Sequence, residues 1–241
     1  MRRLGRILST SLLTASLAAC SADPATNDIG NDPPLSDLEE IVAGAPKADE
    51  IPRISKADEI LPSRYDELRE LQSPVKSQGR RGVCSIFSTV ALMEHLYIAE
   101  GGITNPDFSE QYLQWAAKFQ VHSFPNSSGS NAGVNLEAIN RFGIPAEDVW
   151  PYEIEQWDEE DDAECDGEDE QPTRCYTNGE PPQEALDAEM FKLPRSRWLH
   201  PLDIKSHMKS QEVGVVVGLT FFYQSWNHRK SDLPTNSCLL Y

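Results

Sequence analysis

One cysteine, Cys84, stands at the head of an apolar run immediately behind a glycine-punctuated turn, Gln78-Gly79-Arg80-Arg81-Gly82-Val83. Beyond it Phe87, Val90, Ala91 and Leu96 recur at roughly helical spacing, which predicts a helix beginning at the cysteine. Gly79 and Gly82 allow the tight, close-approach backbone that such a turn requires. The first turn of a helix leaves backbone N–H groups unpaired and carries the positive end of the dipole. A cysteine is nucleophilic as the thiolate, which such a position favours. Any fold for this chain must therefore bury one face of this helix and leave its first residue accessible. The opposing reading is an inert buried cysteine, and the flanking Gln78 and glycines weigh against it.

Five ordered segments extend the pattern. They are Leu61-Pro62-Ser63-Arg64-Tyr65-Asp66-Glu67-Leu68-Arg69, Ser73-Pro74-Val75-Lys76-Ser77-Gln78-Gly79, Phe108-Ser109-Glu110-Gln111-Tyr112-Leu113, Gly143-Ile144-Pro145 through Trp150-Pro151-Tyr152, and Val213-Gly214-Val215-Val216-Val217-Gly218-Leu219. With the Cys84 segment they resemble, in order, landmarks of the papain-like (C1-type) cysteine peptidases, here in a bacterial lipoprotein form. The resemblance implies an α+β, two-lobe fold: a helical left lobe carrying the Cys helix, and a β-barrel right lobe that these residues leave incomplete. It implies hydrolysis of peptide bonds in peptide or protein substrates, with Cys84 as nucleophile and no cofactor. Gln78, six residues ahead of Cys84, matches the family's oxyanion glutamine. A donor of that kind is worth about 3 kcal/mol in the transition state.

The local motif departs from the family's C-G-[SA]-C-[WY], of which Gly82 and Cys84 remain. Arg81 replaces a cysteine commonly used in a disulfide, which removes a staple. Ser85 replaces the aromatic residue after the nucleophile, which alters the packing beside the thiol. The Ser130-Asn131-Ala132-Gly133 stretch matches the family's glycine-rich substrate wall loosely.

Arg2, Arg3 and Arg6 followed by the apolar Ile7 to Ala18 have the layout of an export signal. Leu17-Ala18-Ala19-Cys20 resembles a bacterial lipobox, so residues 1–19 read as a lipoprotein signal and Cys20 as the lipidated residue. The protein is then anchored to the bacterial cell envelope by lipid, because no segment supplies the ~20 apolar residues of a membrane span. Residues 20–60, rich in Pro and acidic residues and without periodic apolar positions, read as a flexible tether. The peptidase domain is expected over 61–241, with its C-terminal part missing and an acidic insertion at about 153–182.

The formal net charge of −18 argues against nucleic acid as a partner. Between Glu153 and Glu170 lie twelve acidic residues and no basic one, which reads as a solvated insertion. Asp162, Glu164, Asp166 and Gly167 fall on positions 1, 3, 5 and 6 of an EF-hand-like loop, but position 12 is Thr173 where a bidentate Glu is needed. A metal is therefore not expected. In an oxidising compartment Cys165 and Cys175, ten apart in this otherwise uncored loop, are expected to pair, leaving Cys238 alone.

A nucleophilic cysteine of this type needs a histidine to carry its proton and an Asn or Asp to orient that ring. The family spacing of ~130 to 150 residues reaches His228, 144 residues after Cys84. Its context, Arg229-Lys230-Ser231-Asp232-Leu233-Pro234, reads as a loop, whereas the family histidine opens a strand. His95 is expected on the surface of the Cys84 helix, His122 in a loop, and His200 and His207 ahead of the Val213 strand. Asn236 lacks the context of the orienting asparagine. The alternative function is therefore an inactive surface lipoprotein that keeps the peptidase scaffold as a binding module.

Overall fold

Three helices build the core around the cysteine. In the computed structural model, which describes residues 43–55, 60–167 and 171–218, α1 spans Cys84–Ala99, α2 Glu110–Phe119 and α3 Ala132–Arg141. Ile86, Val90 and Met93 place one apolar stripe of α1 in the interior. Ala116 and Ala117 of α2 and Ala138 of α3 are fully buried, and small side chains of this kind allow close helix packing. Two caps set where α2 and α3 start: the Ser109 hydroxyl accepts from the Tyr112 amide at 3.0 Å, and the Asn131 Oδ1 accepts from the Val134 amide at 3.0 Å. The Ser109 hydroxyl also donates to the Trp150 carbonyl at 2.7 Å, joining the start of α2 to the Trp150-Pro151-Tyr152 turn.

α3 stops at Gly143, whose φ of 86° carries the chain away in the left-handed region. A Cβ there would lie 2.8 Å from the Phe191 carbonyl oxygen, so glycine is required on both counts. Ile144 and Phe191 then exchange backbone hydrogen bonds of 2.9 and 3.0 Å. This contact and a second between Phe108 and Ala146 are isolated antiparallel bridges.

The described residues contain no β-strand, so the β-rich lobe is not among them. Val213–Gly218, expected to open that lobe, pairs with no strand there. The Gly214 amide donates instead to His95 Nε2 at 2.9 Å. That contact corrects the placement of His95. It is 1% exposed, covered on one side by Leu71–Gln72 and on another by Gly214, and not on the helix surface. Because an amide N–H can only donate, Nε2 accepts from Gly214, while Nδ1 lies 3.0 Å from the Leu71 carbonyl and 2.8 Å from Gln72 Nε2.

Two cations, one half-buried and one buried, bind the loops to this helical core. Lys76 Nζ meets Glu94 at 2.8 Å, Glu110 at 2.9 Å and Asp107 at 2.6 Å. Burial pushes its ammonium down, but Asp107, Glu94 and Glu110 overcome this and hold it above its ordinary value. Arg81, 2% exposed, donates through Nη1 to Gln111 Oε1 at 2.8 Å and to the Glu153 carbonyl at 2.7 Å, and through Nη2 to Gln114 Oε1 at 2.7 Å. Its guanidinium lies 4.7 Å from the centre of the Tyr152 ring. The position at which a staple was expected to be lost thus carries another kind of tie.

The acidic insertion is more ordered than a solvated loop. Short helices α4, Thr173–Tyr176, and α5, Gln183–Leu186, lie in and just beyond it. Cys165 and Cys175 are joined by a disulfide, and Arg174 pairs with Asp162 at 2.7 Å and with Glu164. The first two carboxylates of the EF-hand-like spacing therefore face a guanidinium, and the described residues hold no cluster of three or more metal-ligand side chains. Order also extends into the stretch expected to be a flexible tether. Asp203, fully buried ahead of α6 (Ile204–Gln211), accepts from Arg53 Nε at 2.7 Å, from the Ile54 amide at 2.6 Å and from the Ser55 hydroxyl. Residues 53–55 are held by a buried carboxylate, which composition alone does not disclose.

Each buried acceptor left without a donor costs roughly 1–3 kcal/mol. Arg81→Met orphans acceptors on Gln111 and Gln114, and is expected to lower the unfolding free energy by about 3 kcal/mol in urea titrations. Glu147 supplies a pH test. Its Oε1 accepts from the Tyr152 amide at 2.6 Å and its buried Oε2 has no partner among the described residues. Burial pushes the carboxyl up from 4.5 to about 7, against the Tyr152 amide. Across that interval the folded state binds more protons than the unfolded state, so stability falls as pH rises. Glu147→Gln is expected to lose less thermal stability than the parent between about pH 5 and pH 8.

Candidate active site

Cys84 is a free, exposed thiol at the first residue of α1. The burial of its neighbours fixes it there: Val83 before it and Ile86 after it are fully buried, so the helix start is anchored while the thiol faces outward. No side chain caps this helix. Its leading amides are left for whatever binds at the thiol.

The Gln78-Gly79 turn runs beside it. Gly79 has φ 63°, and a Cβ there would lie 2.5 Å from the Ile154 side chain and 2.8 Å from its carbonyl oxygen. Glycine lets the start of the acidic insertion seat directly on this turn. Gln78 is fixed at both ends: its Nε2 donates to the Arg81 carbonyl at 2.8 Å, and its own carbonyl accepts from the Tyr152 hydroxyl at 2.9 Å. A carboxamide nitrogen has two hydrogens, so one remains after the Arg81 contact. The Tyr152 ring packs edge-on against Phe87 at 4.8 Å, tying the turn to α1.

On another side of the thiol runs the loop 127–131. The Ser128 Cβ lies 3.7 Å from where a Gly82 Cβ would stand, and the Ser85 and Ser130 hydroxyls are 2.8 Å apart. Gln114 Nε2 donates to the Ser128 carbonyl at 3.3 Å and Lys118 Nζ to the Gly129 carbonyl at 3.0 Å. Lys118 is 3% exposed; burial, with Arg81 adding to it, lowers its pKa to about 7.

Of the four described histidines, His95, His200 and His207 have hydrogen-bond partners elsewhere. His95 lies in the same helix eleven residues on, about 16 Å along its axis. His122 sits in a surface turn with φ 59°. His200 Nδ1 accepts from the Leu202 amide at 3.1 Å, and His207 lies 3.2 Å from Arg197 Nη2. Burial, then the Arg197 charge, pushes His207 down. Cys20, His228, Asn236 and Cys238 lie outside the described residues.

The structure thus places the loop 127–131 against Gly82 and Ser85 on either side of Cys84, ties Gln78 to Arg81 and Tyr152, and leaves Cys165 and Cys175 within the insertion. Sequence reasoning missed the organising roles of Arg81, Tyr152 and Lys118. One signal was available: Gln111 and Gln114, three apart among the apolar Tyr112, Leu113 and Trp115, imply a polar group buried against that face.

Solved structures include a match to xylellain, a cysteine protease from Xylella fastidiosa, at a TM-score of 0.43 and 18% identity over 66% of this chain. The match spans 61% of the xylellain chain, about six-tenths of its length. No curated protein sequence matches. The family model described as papain family cysteine protease matches residues 61–211. That match covers more than half of the sequence and includes Gln78, Cys84 and the three packed helices, and the chain belongs to the papain family of cysteine proteases.

Proposed function

We propose that the protein is a cysteine-type peptidase that hydrolyses peptide bonds through Cys84. The observation that carries this reading is the exposed, free thiol at the uncapped start of a buried helix, with the Gln78 carboxamide held in the adjoining turn. In the proposed reaction the Cys84 sulfur attacks the scissile carbonyl and forms a carbon–sulfur bond. The backbone N–H of Cys84 and the remaining N–H of Gln78 Nε2 stabilise the oxyanion. Collapse breaks the peptide bond and expels the amine, which takes a proton from an imidazole; water then releases the acid and restores the thiol. That imidazole has to come from outside the described residues, and by spacing His228 is the one to test.

Cys84→Ala is expected to abolish hydrolysis of casein by the full chain while leaving its circular dichroism and unfolding midpoint unchanged. Gln78→Ala is expected to lower kcat by about 10²–10³. Hydrolysis that survives in Cys84→Ala defeats the assignment. Casein bound but not cleaved by the unaltered chain instead supports the alternative of a scaffold retained for binding.

The Leu17-Ala18-Ala19-Cys20 sequence supports a second proposal, processing ahead of Cys20 and lipidation there, which would hold the domain at a bacterial envelope membrane. Expressed in a bacterium, the parent is expected to partition into the detergent phase of Triton X-114, and Cys20→Ala into the aqueous phase.

A further inference from the structure

A closed ring of hydrogen bonds ties the residue after the nucleophile to the loop beside it. The Thr89 hydroxyl donates to the Ser85 carbonyl at 2.7 Å, so its only proton is used, and it accepts from Asn135 Nδ2 at 3.4 Å. The Asn135 Oδ1 accepts from the Ser130 hydroxyl at 2.8 Å. Ser130 then has no proton left, and the 2.8 Å contact between the Ser130 and Ser85 hydroxyls is a bond donated by Ser85. The circuit runs from the Ser85 side chain through Ser130, Asn135 and Thr89 back to the Ser85 main chain. Two of its members, Thr89 and Asn135, are fully buried, which holds their geometry and strengthens each bond.

We infer that Ser85 is a positioning residue that fixes the loop 127–131 against Cys84 as one wall of the peptide-binding groove. Three observations carry this. The loop flanks the thiol on both sides in sequence, through Ser128 near Gly82 and Ser130 at Ser85, so an acyl group on the Cys84 sulfur lies alongside it. From behind, the contacts to Ser128 and Gly129 come from α2 and the acidic insertion and not from α1: Gln114 and Lys118 donate to their carbonyls, and the Ser128 hydroxyl donates to Gln156 Oε1 at 3.2 Å. Ser85 supplies the direct link between this loop and the nucleophile's own helix. An aromatic side chain at 85 has no hydroxyl on its Cβ to close the ring at this range, so the serine sets the wall by a polar bond where bulk would otherwise set it.

The inference rests on the peptidase reading for the identity of the groove, but its test does not need turnover. In a Cys84→Ala background, binding of fluorescein-labelled casein by the full chain is followed by anisotropy for Ser85, Ser85→Ala and Ser85→Thr. Loss of the hydroxyl is expected to weaken binding by up to about tenfold, the order for one hydrogen bond, and threonine to restore it to within about twofold. With Cys84 present, Ser85→Ala is expected to raise KM for casein with little change in kcat, and to leave the rate of Cys84 alkylation by iodoacetamide unaltered. Combining Ser85→Ala with Ser130→Ala is expected to cost no more than either alone, because both open the same circuit. An unchanged casein affinity in Ser85→Ala overturns the inference, as does an alkylation rate that falls in parallel with affinity, the mark of general loosening. Failure of the Ser85 form to bind casein overturns it too. Binding that responds to Ser85 without any hydrolysis by the unaltered chain defeats the peptidase reading and upholds the positioning role.

Discussion

The guanidinium of Arg81 is the contact on which the site depends. It lies three residues ahead of the nucleophile and is surrounded by α2, the Tyr152 ring and the first residue of the acidic insertion. Its carbonyl accepts the Gln78 carboxamide. One residue therefore orients the Gln78 carboxamide through its main chain and locks the surrounding loops through its side chain. Burial works against its charge, with Tyr152 and Glu153 opposing that effect, so the arrangement holds only while its acceptors stay in place. A disulfide at this position would tie one loop to one partner. A planar group with several donors ties three segments at once.

Most of the helical half was legible because it follows from local rules. The apolar stripe of α1, the caps Ser109 and Asn131, and the positive φ at Gly143 each have a sequence signature that acts within a few residues. The polar tertiary contacts were not legible. Nothing near His95 announces that Gly214, more than a hundred residues on, donates to its ring, and nothing around Arg53 to Ser55 announces a buried Asp203. Such contacts depend on segments that meet only when the chain is folded. The sequence motif also placed a β-rich lobe from Val213 onward by resemblance, whereas the structure describes Val213–Gly218 without a strand partner.

The candidate site divides in the same way. Cys84 and Gln78 could be named from the turn and the helix that follows it, since each role is carried by backbone geometry that glycines and apolar spacing announce. The wall at Ser130 and the ring through Asn135 could not, because hydroxyl and amide groups offer the same chemistry at many positions in this chain. Their directions become fixed only when every proton in the circuit is assigned.

α1 belongs to two environments with different mobility. Its far end is held by the buried Glu94, which accepts from Lys76, from the Phe108 amide at 3.1 Å and from Ser73, while its first residue presents the thiol. Displacing the thiol therefore means disrupting the core. The loop 127–131 is bound by polar contacts at its edge and can open below the global unfolding energy. On the proposed reading, a peptide entering beside Cys84 is accommodated by motion of this loop while the anchored thiol keeps its aim.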